Sequence, residues 1–401
     1  MTGAEVVARC QVLARMSETP GAITRTFCSK PMREAHHALR GWMEEAGMRV
    51  SVDHAGNLRG VYPAREGGEA CLLIGSHIDT VPDAGAYDGV LGVVLGIGLV
   101  AGLGGRRLSF AIEVVAFSEE EGVRFGVPFI GSRGLVGTLD EELLSRTDAQ
   151  GLSVARALRD FGTGSELPPH EYIGYFEMHI EQGPVLESLG LPLGVVTAIA
   201  GQTRAEVCFR GAANHAGTTP MHLRRDAMAA AARWIALVER TARVTVGAVA
   251  TVGSVQTLPG AGNVIAGEVR ATLDVRHADD DVREALVNRL RCTAEKIAER
   301  RGLQVEWKTR LLQAAVACNE GMAEMLERAV GASGHRIHRM VSGAGHDAMI
   351  LSSIAPTAML FVRSPGGISH HPNESVLEND VDAALAAGSL FLRELETVYG
   401  E

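Results

Sequence analysis

Two short apolar segments do most to limit what this chain can fold into. Cys71-Leu72-Leu73-Ile74 runs into Gly75-Ser76-His77-Ile78-Asp79-Thr80-Val81-Pro82, and Leu108 to Phe117 runs into Ser118-Glu119-Glu120-Glu121-Gly122. Both have the Val, Ile, Leu and Phe content of strands buried on both faces. Both end in residue types that bind metals or move protons. In open α/β sheets, ligands gather in the crevice beyond the carboxyl ends of the strands, so the two segments are expected to aim His77 and the glutamates into one cleft. Asp88-Gly89 opens a Gly-rich apolar stretch that reaches Leu103. It reads as a buried helix, too short and too rich in Gly for a membrane span.

The wider pattern changes character twice. Up to Ala200 strands alternate with helices such as Met32 to Ala46, with strands around Leu73, Val114 and Phe176. That alternation predicts a doubly wound α/β domain. From 201 to 315 the reading is strands at Thr203–Arg210, Ala248–Gln256 and Gly267–Arg276, with helices at Arg225–Glu239 and Asp280–Arg301. Val269, Ala271, Leu273 and Val275 alternate with Glu268, Arg270, Thr272, Asp274 and Arg276, the period-2 pattern of a sheet covered on one face only. The fold class expected is therefore α/β, with a doubly wound catalytic domain (1–200 and 316–401) and an inserted smaller α+β domain (201–315). A helix at Glu320–Val330 and a strand at Thr357–Val362 complete the first domain.

At 401 residues the chain is long for a single core, in keeping with two domains. A net charge of −10 disfavours binding to a phosphate backbone, so no nucleic-acid partner is expected. The start at Met1 carries no basic-then-apolar leader, and six cysteines are scattered without Cys-x-x-Cys spacing. The expectation is a cytoplasmic protein with reduced, mostly buried thiols and no membrane association.

Further candidates are His179, in Glu177-Met178-His179-Ile180-Glu181-Gln182-Gly183-Pro184, and the pair in Ser369-His370-His371-Pro372. Two metals that share one carboxylate need roughly five imidazole and carboxylate ligands, with positions left open for water and substrate. His77, Asp88, Glu121, His179 and His370 supply that number. Taken singly, each has a plainer reading. A lone histidine is more often structural than a ligand, a Glu-Glu-Glu run is usually a solvated stripe, and Arg276 on a polar strand face is usually just hydrated.

What raises these residues above the plainer readings is six motifs in one order. They are Gly-Ser-His-x-Asp-Thr-x-Pro followed by Asp88-Gly89, Glu-Glu-Gly-x-Arg-Phe (Glu120 to Phe125), His-Ile-Glu-Gln-Gly-Pro-Val-Leu-Glu (His179 to Glu187), Asn-His-Ala-Gly-Thr-Thr-Pro-Met (Asn214 to Met221), Gly-Ala-Gly-His-Asp-Ala (Gly343 to Ala348) and Gly-Ile-Ser-His-x-Pro-x-Glu (Gly367 to Glu374). The set resembles the hydantoinase/carbamoylase branch of the dinuclear zinc aminoacylase and carboxypeptidase clan. That branch contains allantoate amidohydrolases, N-carbamoyl-L-amino-acid hydrolases and β-ureidopropionases.

The resemblance implies that Asp88 bridges two divalent ions, zinc or manganese with cobalt or nickel also accommodated. His77 and His179 would complete one ion and Glu121 and His370 the other, while Glu120 would be the general base. It further implies that His215 reaches across a homodimer formed by the inserted lid domain to polarise the scissile carbonyl. Gln182, Asn263, Arg276 and His346 would bind the carboxylate and carbamoyl groups of a small ureido substrate. Relatives tend to carry Pro-Asn-x-Ile-Pro-Gly where this chain has Gly262-Asn263-Val264-Ile265-Ala266-Gly267, so both prolines are lost beside Asn263. The stretches Asp83 to Asp88 and Phe361 to Gly367 resemble the allantoate-specific members first and the carbamoylases second. A dipeptidase or aminoacylase of the clan is disfavoured by the histidine at 179, and a non-catalytic relative by the complete ligand set.

Overall fold

A computed structural model describes residues 1–65, 70–164 and 171–399. The chain folds as two compact units, Met1–Thr197 with Cys318–Glu401, and Ala198–Ala317. The class is α/β, as the alternation predicted.

The first unit is built on a twisted sheet whose spatial order is Arg49–Val52, Leu58–Tyr62, Ala111–Phe117, Cys71–His77, Tyr172–Ile180, Thr357–Val362 and Leu193–Ile199. The four central strands from Ala111–Phe117 to Thr357–Val362 are mutually parallel, and the strands flanking them are antiparallel. Parallel strands need crossovers, and here the helix Val90–Gly102 connects two neighbours. Its residues Val90 to Val100 are all buried. The stretch expected from Asp88 to Leu103 is thus a core helix. Gly3–Ala14, Glu320–Ala332 and the C-terminal helix Glu378–Tyr399 pack with it to form the main core.

The second unit carries an antiparallel sheet in the order Val255–Leu258, Glu268–His277, Gly201–Arg210, Gln304–Gln313, with Val249–Thr251 also paired to Glu268–His277. Helices Ala227–Val244 and Asp280–Arg300 cover one face, each begun by an aspartate cap: Asp226 accepts Ala229 N–H at 3.0 Å and Asp279 accepts Val282 N–H at 3.1 Å. Val269, Ala271, Leu273 and Val275 are buried under those helices, while Arg270 and Thr272 are exposed.

One reading needs correction, and two elements went unread. The strand expected over Ala248–Gln256 is two, Val249–Thr251 and Val255–Leu258, separated by Val252-Gly253-Ser254. The strand Gln304–Gln313 and the helix Glu378–Tyr399 carried no expectation at all. Among the described residues no helix is long and apolar enough to cross a membrane.

Candidate active site

Strand parity in the first unit decides which residues reach the site. Leu72 and Ile74 join the main core, so Leu73, Gly75 and His77 face the other way; Phe176, Met178 and Ile180 join it, so Tyr175, Glu177 and His179 do not. These strands are parallel neighbours, and their histidines emerge side by side at the carboxyl ends with the two Nε2 atoms 3.5 Å apart. Each ring turns its Nδ1 to a backbone carbonyl, His77 to Asp79 at 3.1 Å and His179 to Ile180 at 2.9 Å. A carbonyl oxygen only accepts, so Nδ1 carries a hydrogen and Nε2 is the atom that would offer its lone pair to a cation. Both Nε2 atoms face Asp88 Oδ1, at 3.9 Å from His77 and 3.2 Å from His179.

Asp88 sits just ahead of the helix Val90–Gly102, where the helix dipole favours a carboxylate. Its Oδ2 lies 3.1 Å from His370 Nε2, which is in turn 3.5 Å from Glu121 Oε1. Two donor groups therefore share Asp88: one with His77 and His179, the other with Glu121 and His370, and within each the ligand-type atoms lie within 4.8 Å of one another. Glu120 joins His77 and Glu121 in a further such group, as do Glu177, His179 and His346. The donor chemistry, neutral imidazole nitrogen with carboxylate oxygen, fits borderline divalent ions such as zinc or manganese.

The electrostatics fit the same picture. Burial pushes the Glu120 carboxyl well above the usual range, with Glu121 and Asp347 adding repulsion. Burial and Asp88 together push Glu121 up to about 7. Asp88 itself is held well below the carboxylate range: its burial works the other way, but the His370 hydrogen bond and the nearby His179 and His77 outweigh it. The hydrogen bond to Asp88 pushes half-exposed His370 up to about 9. So many carboxylates crowded in a buried space are costly without a compensating cation.

The Glu119-Glu120-Glu121 run is no solvated stripe. Glu119 and Glu120 are buried, and the turn is tied down by Asp79, whose two oxygens accept the N–H groups of Glu120 at 2.9 Å and Glu121 at 3.0 Å. Asp79 Oδ1 also lies 3.4 Å from His77 Nδ1, so this one carboxylate aligns a histidine from one strand with two glutamates from the next. Asp79 carried no expected role, although its place two residues after His77 was a usable signal. Glu374 was likewise passed over within its motif. Its Oε1 accepts the N–H groups of Tyr87 at 2.9 Å and Asp88 at 3.1 Å, and its Oε2 accepts the Ser369 hydroxyl at 3.1 Å.

Gln182, in a left-handed conformation with φ 57°, donates from Nε2 to both Asp88 oxygens, at 3.0 and 2.9 Å, and to Ser369 Oγ at 3.0 Å. His346 is buried, with Nε2 2.8 Å from Ser342 Oγ and its ring edge-on to His179 at a centroid distance of 4.5 Å. The structure thus brings together Gln182, His346, Glu120 and the five ligand-type residues, all in the first unit.

His215, Asn263 and Arg276 belong to the second unit. The short strands Asn214–His215 and Val264–Ile265 pair with His215 opposite Val264, and Ala216 N–H reaches the Asn263 carbonyl at 2.9 Å. His215 and Asn263 are therefore neighbours, and both are exposed. His215 Nδ1 accepts Gly217 N–H at 3.0 Å, which leaves Nε2 as a donor. Arg276 is engaged in a two-pronged pair with Asp274, Nε to Oδ1 at 2.9 Å and Nη2 to Oδ2 at 3.0 Å.

Residues 73–394 match the family described as Peptidase family M20/M25/M40. An allantoate deiminase of Glycine max is 40% identical to this chain, covering 98% of it and 89% of the plant protein. An N-carbamoyl-L-amino acid amidohydrolase of Geobacillus stearothermophilus is 39% identical over 98% of both chains. A hydantoinase/carbamoylase family amidase from Burkholderia multivorans superposes with a TM-score of 0.94 at 33% identity, over 98% of this chain and 97% of that one. The chain belongs to the M20/M25/M40 peptidase family, in the company of its hydantoinase/carbamoylase amidases.

Proposed function

We propose that this protein is a dinuclear metal-dependent amidohydrolase that cleaves a linear ureido C–N bond, with allantoate as substrate and ammonia as a product. The observation that carries the reading is the pair of donor groups hinged on Asp88, with Glu120 beside them. His77 and His179 would hold one ion, Glu121 and His370 the other, and Asp88 both. When bound, the ions would lower the pKa of water and polarise the substrate carbonyl.

The chain's own residues do the rest. Glu120, its carboxyl raised well above the usual range by burial, takes the proton from the attacking water and returns it to the departing nitrogen as the C–N bond breaks. His215 donates its Nε2 hydrogen to the carbonyl oxygen as negative charge develops there. Asn263 and Arg276 would grip the substrate carboxylate, for which Arg276 exchanges Asp274 for the ligand. Gln182 and His346 complete the polar lining around the carbamoyl group. For allantoate the products are ammonia, carbon dioxide and a ureidoglycine-type compound. The working unit in this reading is a homodimer formed through the second unit, and the six unpaired thiols support a reducing, cytoplasmic setting.

A second reading, hydrolysis of an N-carbamoyl-L-amino acid, is favoured by the end-to-end match with the Geobacillus relative. Purified enzyme loaded in turn with zinc, manganese, cobalt and nickel should release ammonia from allantoate faster than from any N-carbamoyl-L-amino acid in a panel. Faster turnover of a carbamoyl amino acid would reverse the order of the two readings. No turnover of either, with both ions bound, would remove them.

A further inference from the structure

The two halves of the proposed centre are supported very differently. His77 and His179 end strands of a parallel ladder and are fixed by the sheet. His370 is on a loop, half-exposed and in a left-handed conformation with φ 55°, and no ladder holds it. Besides the direct contacts of His370 Nε2 at 3.1 Å and Ser369 Oγ at 3.4 Å with Asp88 Oδ2, Glu374 ties that loop to the Asp88 backbone. It is buried, accepts both N–H groups of the Tyr87-Asp88 peptide segment on one oxygen, and accepts the hydroxyl of Ser369, the residue before His370, on the other. Ser369 Oγ in turn accepts the Gln182 amide, which also caps Asp88. The Asp88 loop has made room for this carboxylate: a Cβ at Gly85 would fall well inside van der Waals contact of the Glu374 side chain.

We infer that Glu374 is a positioning residue that sets the spacing of Asp88 and His370, and so controls occupancy of the second of the two metal positions without touching either ion. It rests on the ligand assignment above. The His77–His179 position keeps two ligands fixed by the sheet and depends on the strut only through the shared Asp88, whereas the other position depends on it through both Asp88 and the His370 loop, so loss of the strut weakens the second position more. The effect expected is a 10–100-fold weaker affinity at one position, the scale seen when a group that orients a ligand is removed.

The test is metal stoichiometry by mass spectrometry and by competition with a graded chelator, on the purified full chain. Wild type should hold about two zinc ions per chain, and Glu374→Gln about one at the same free zinc, with the remaining ion weakened less than the one lost. Gly85→Ala, which crowds the carboxylate out of its place, and Ser369→Ala, which cuts the link to the His370 loop, should move the stoichiometry the same way. Glu141→Gln, on an exposed short helix, should leave it at two. If Glu374→Gln folds poorly, the other two variants decide the matter, read beside melting of the metal-free proteins, which should stay near wild type. Two ions of unchanged affinity in all three variants, or equal loss of both ions, would overturn the positioning role. A wild type that never takes up two ions overturns instead the ligand assignment beneath it, and the inference with it.

Discussion

Gly89 lies against the His77 ring so closely that a Cβ there would overlap the imidazole Nε2 and Cδ2, and its φ of 65° is one that L side chains rarely adopt. The two facts act together. The left-handed turn lets the chain enter the helix Val90–Gly102 directly after Asp88, and the missing side chain lets the histidine meet the aspartate.

Gly89→Ala should therefore displace His77 and cost metal and activity together, even though it removes no functional group. The loss expected is ~10²-fold or more in kcat/KM, with metal affinity reduced 10–100-fold. Ammonia release and bound metal measured on the same sample check it. A variant with wild-type metal content would mean that the ring is not a ligand.

Asp88 and Glu120 separate binding from chemistry. Asp88→Ala removes the one carboxylate common to both donor groups and should abolish metal retention and turnover at once. Glu120→Gln keeps the shape of a residue whose backbone is already pinned by Asp79. It should retain both ions and near-normal KM while kcat falls by ~10² or more, the scale of general-base loss. Asp79→Asn forfeits the charge that aligns the Glu120-Glu121 turn, so both kcat and metal affinity should fall, the latter by 10–100-fold.

The parts of the fold that could be read in the sequence are those in which burial is periodic. Val269 to Val275 alternate because one face is covered, and Leu72/Ile74 and Phe176/Met178 mark the core side of strands whose other residues lead to His77 and His179. The strand Gln304–Gln313 escaped because it lies at a sheet edge, half-exposed, and Lys308 and Arg310 break any apolar run. Its place comes from pairing with Gly201–Arg210, a non-local fact. The same holds for Asp79 and Glu374. They work by accepting backbone N–H groups from residues far along the chain, at 41 and 286 positions' separation for Glu120 and Asp88, and no spacing rule encodes such partners. Gly85 becomes informative only once Glu374 is seen against it.

The thiols give an independent check on the packing. Cys292 is exposed on the helix Asp280–Arg300; Cys10, Cys71, Cys208 and Cys318 are buried and Cys28 is half-buried. Burial pushes the Cys318 thiol up to about 12 and those of Cys10, Cys28 and Cys71 higher still, so little thiolate forms there near neutral pH. Native protein at about pH 8 should react quickly with roughly one equivalent of a disulfide reagent, and Cys292→Ser should abolish that phase. Rapid reaction of several thiols in the native state would contradict the core described above. All six should react after denaturation.

His215 poses the question of assembly. It is exposed in the second unit, on a two-residue strand beside Asn263, with a donor-ready Nε2 and no ligand-type residue of the proposed centre in its own unit. If it serves the site of a partner subunit in a two-fold dimer, two different inactive variants can complement each other. His215→Ala supplies an intact Glu120, and Glu120→Gln supplies an intact His215. A heterodimer that shares His215 across its interface then contains one site with both residues and should recover up to about half the activity of a wild-type dimer. Mixed variants, brought to exchange subunits and followed by native mass spectrometry alongside ammonia release, should gain activity in step with heterodimer formation. Exchange with no recovered activity would place His215 in its own chain's site or outside catalysis, and failure of the protein to dimerise at all would end the shared-site reading.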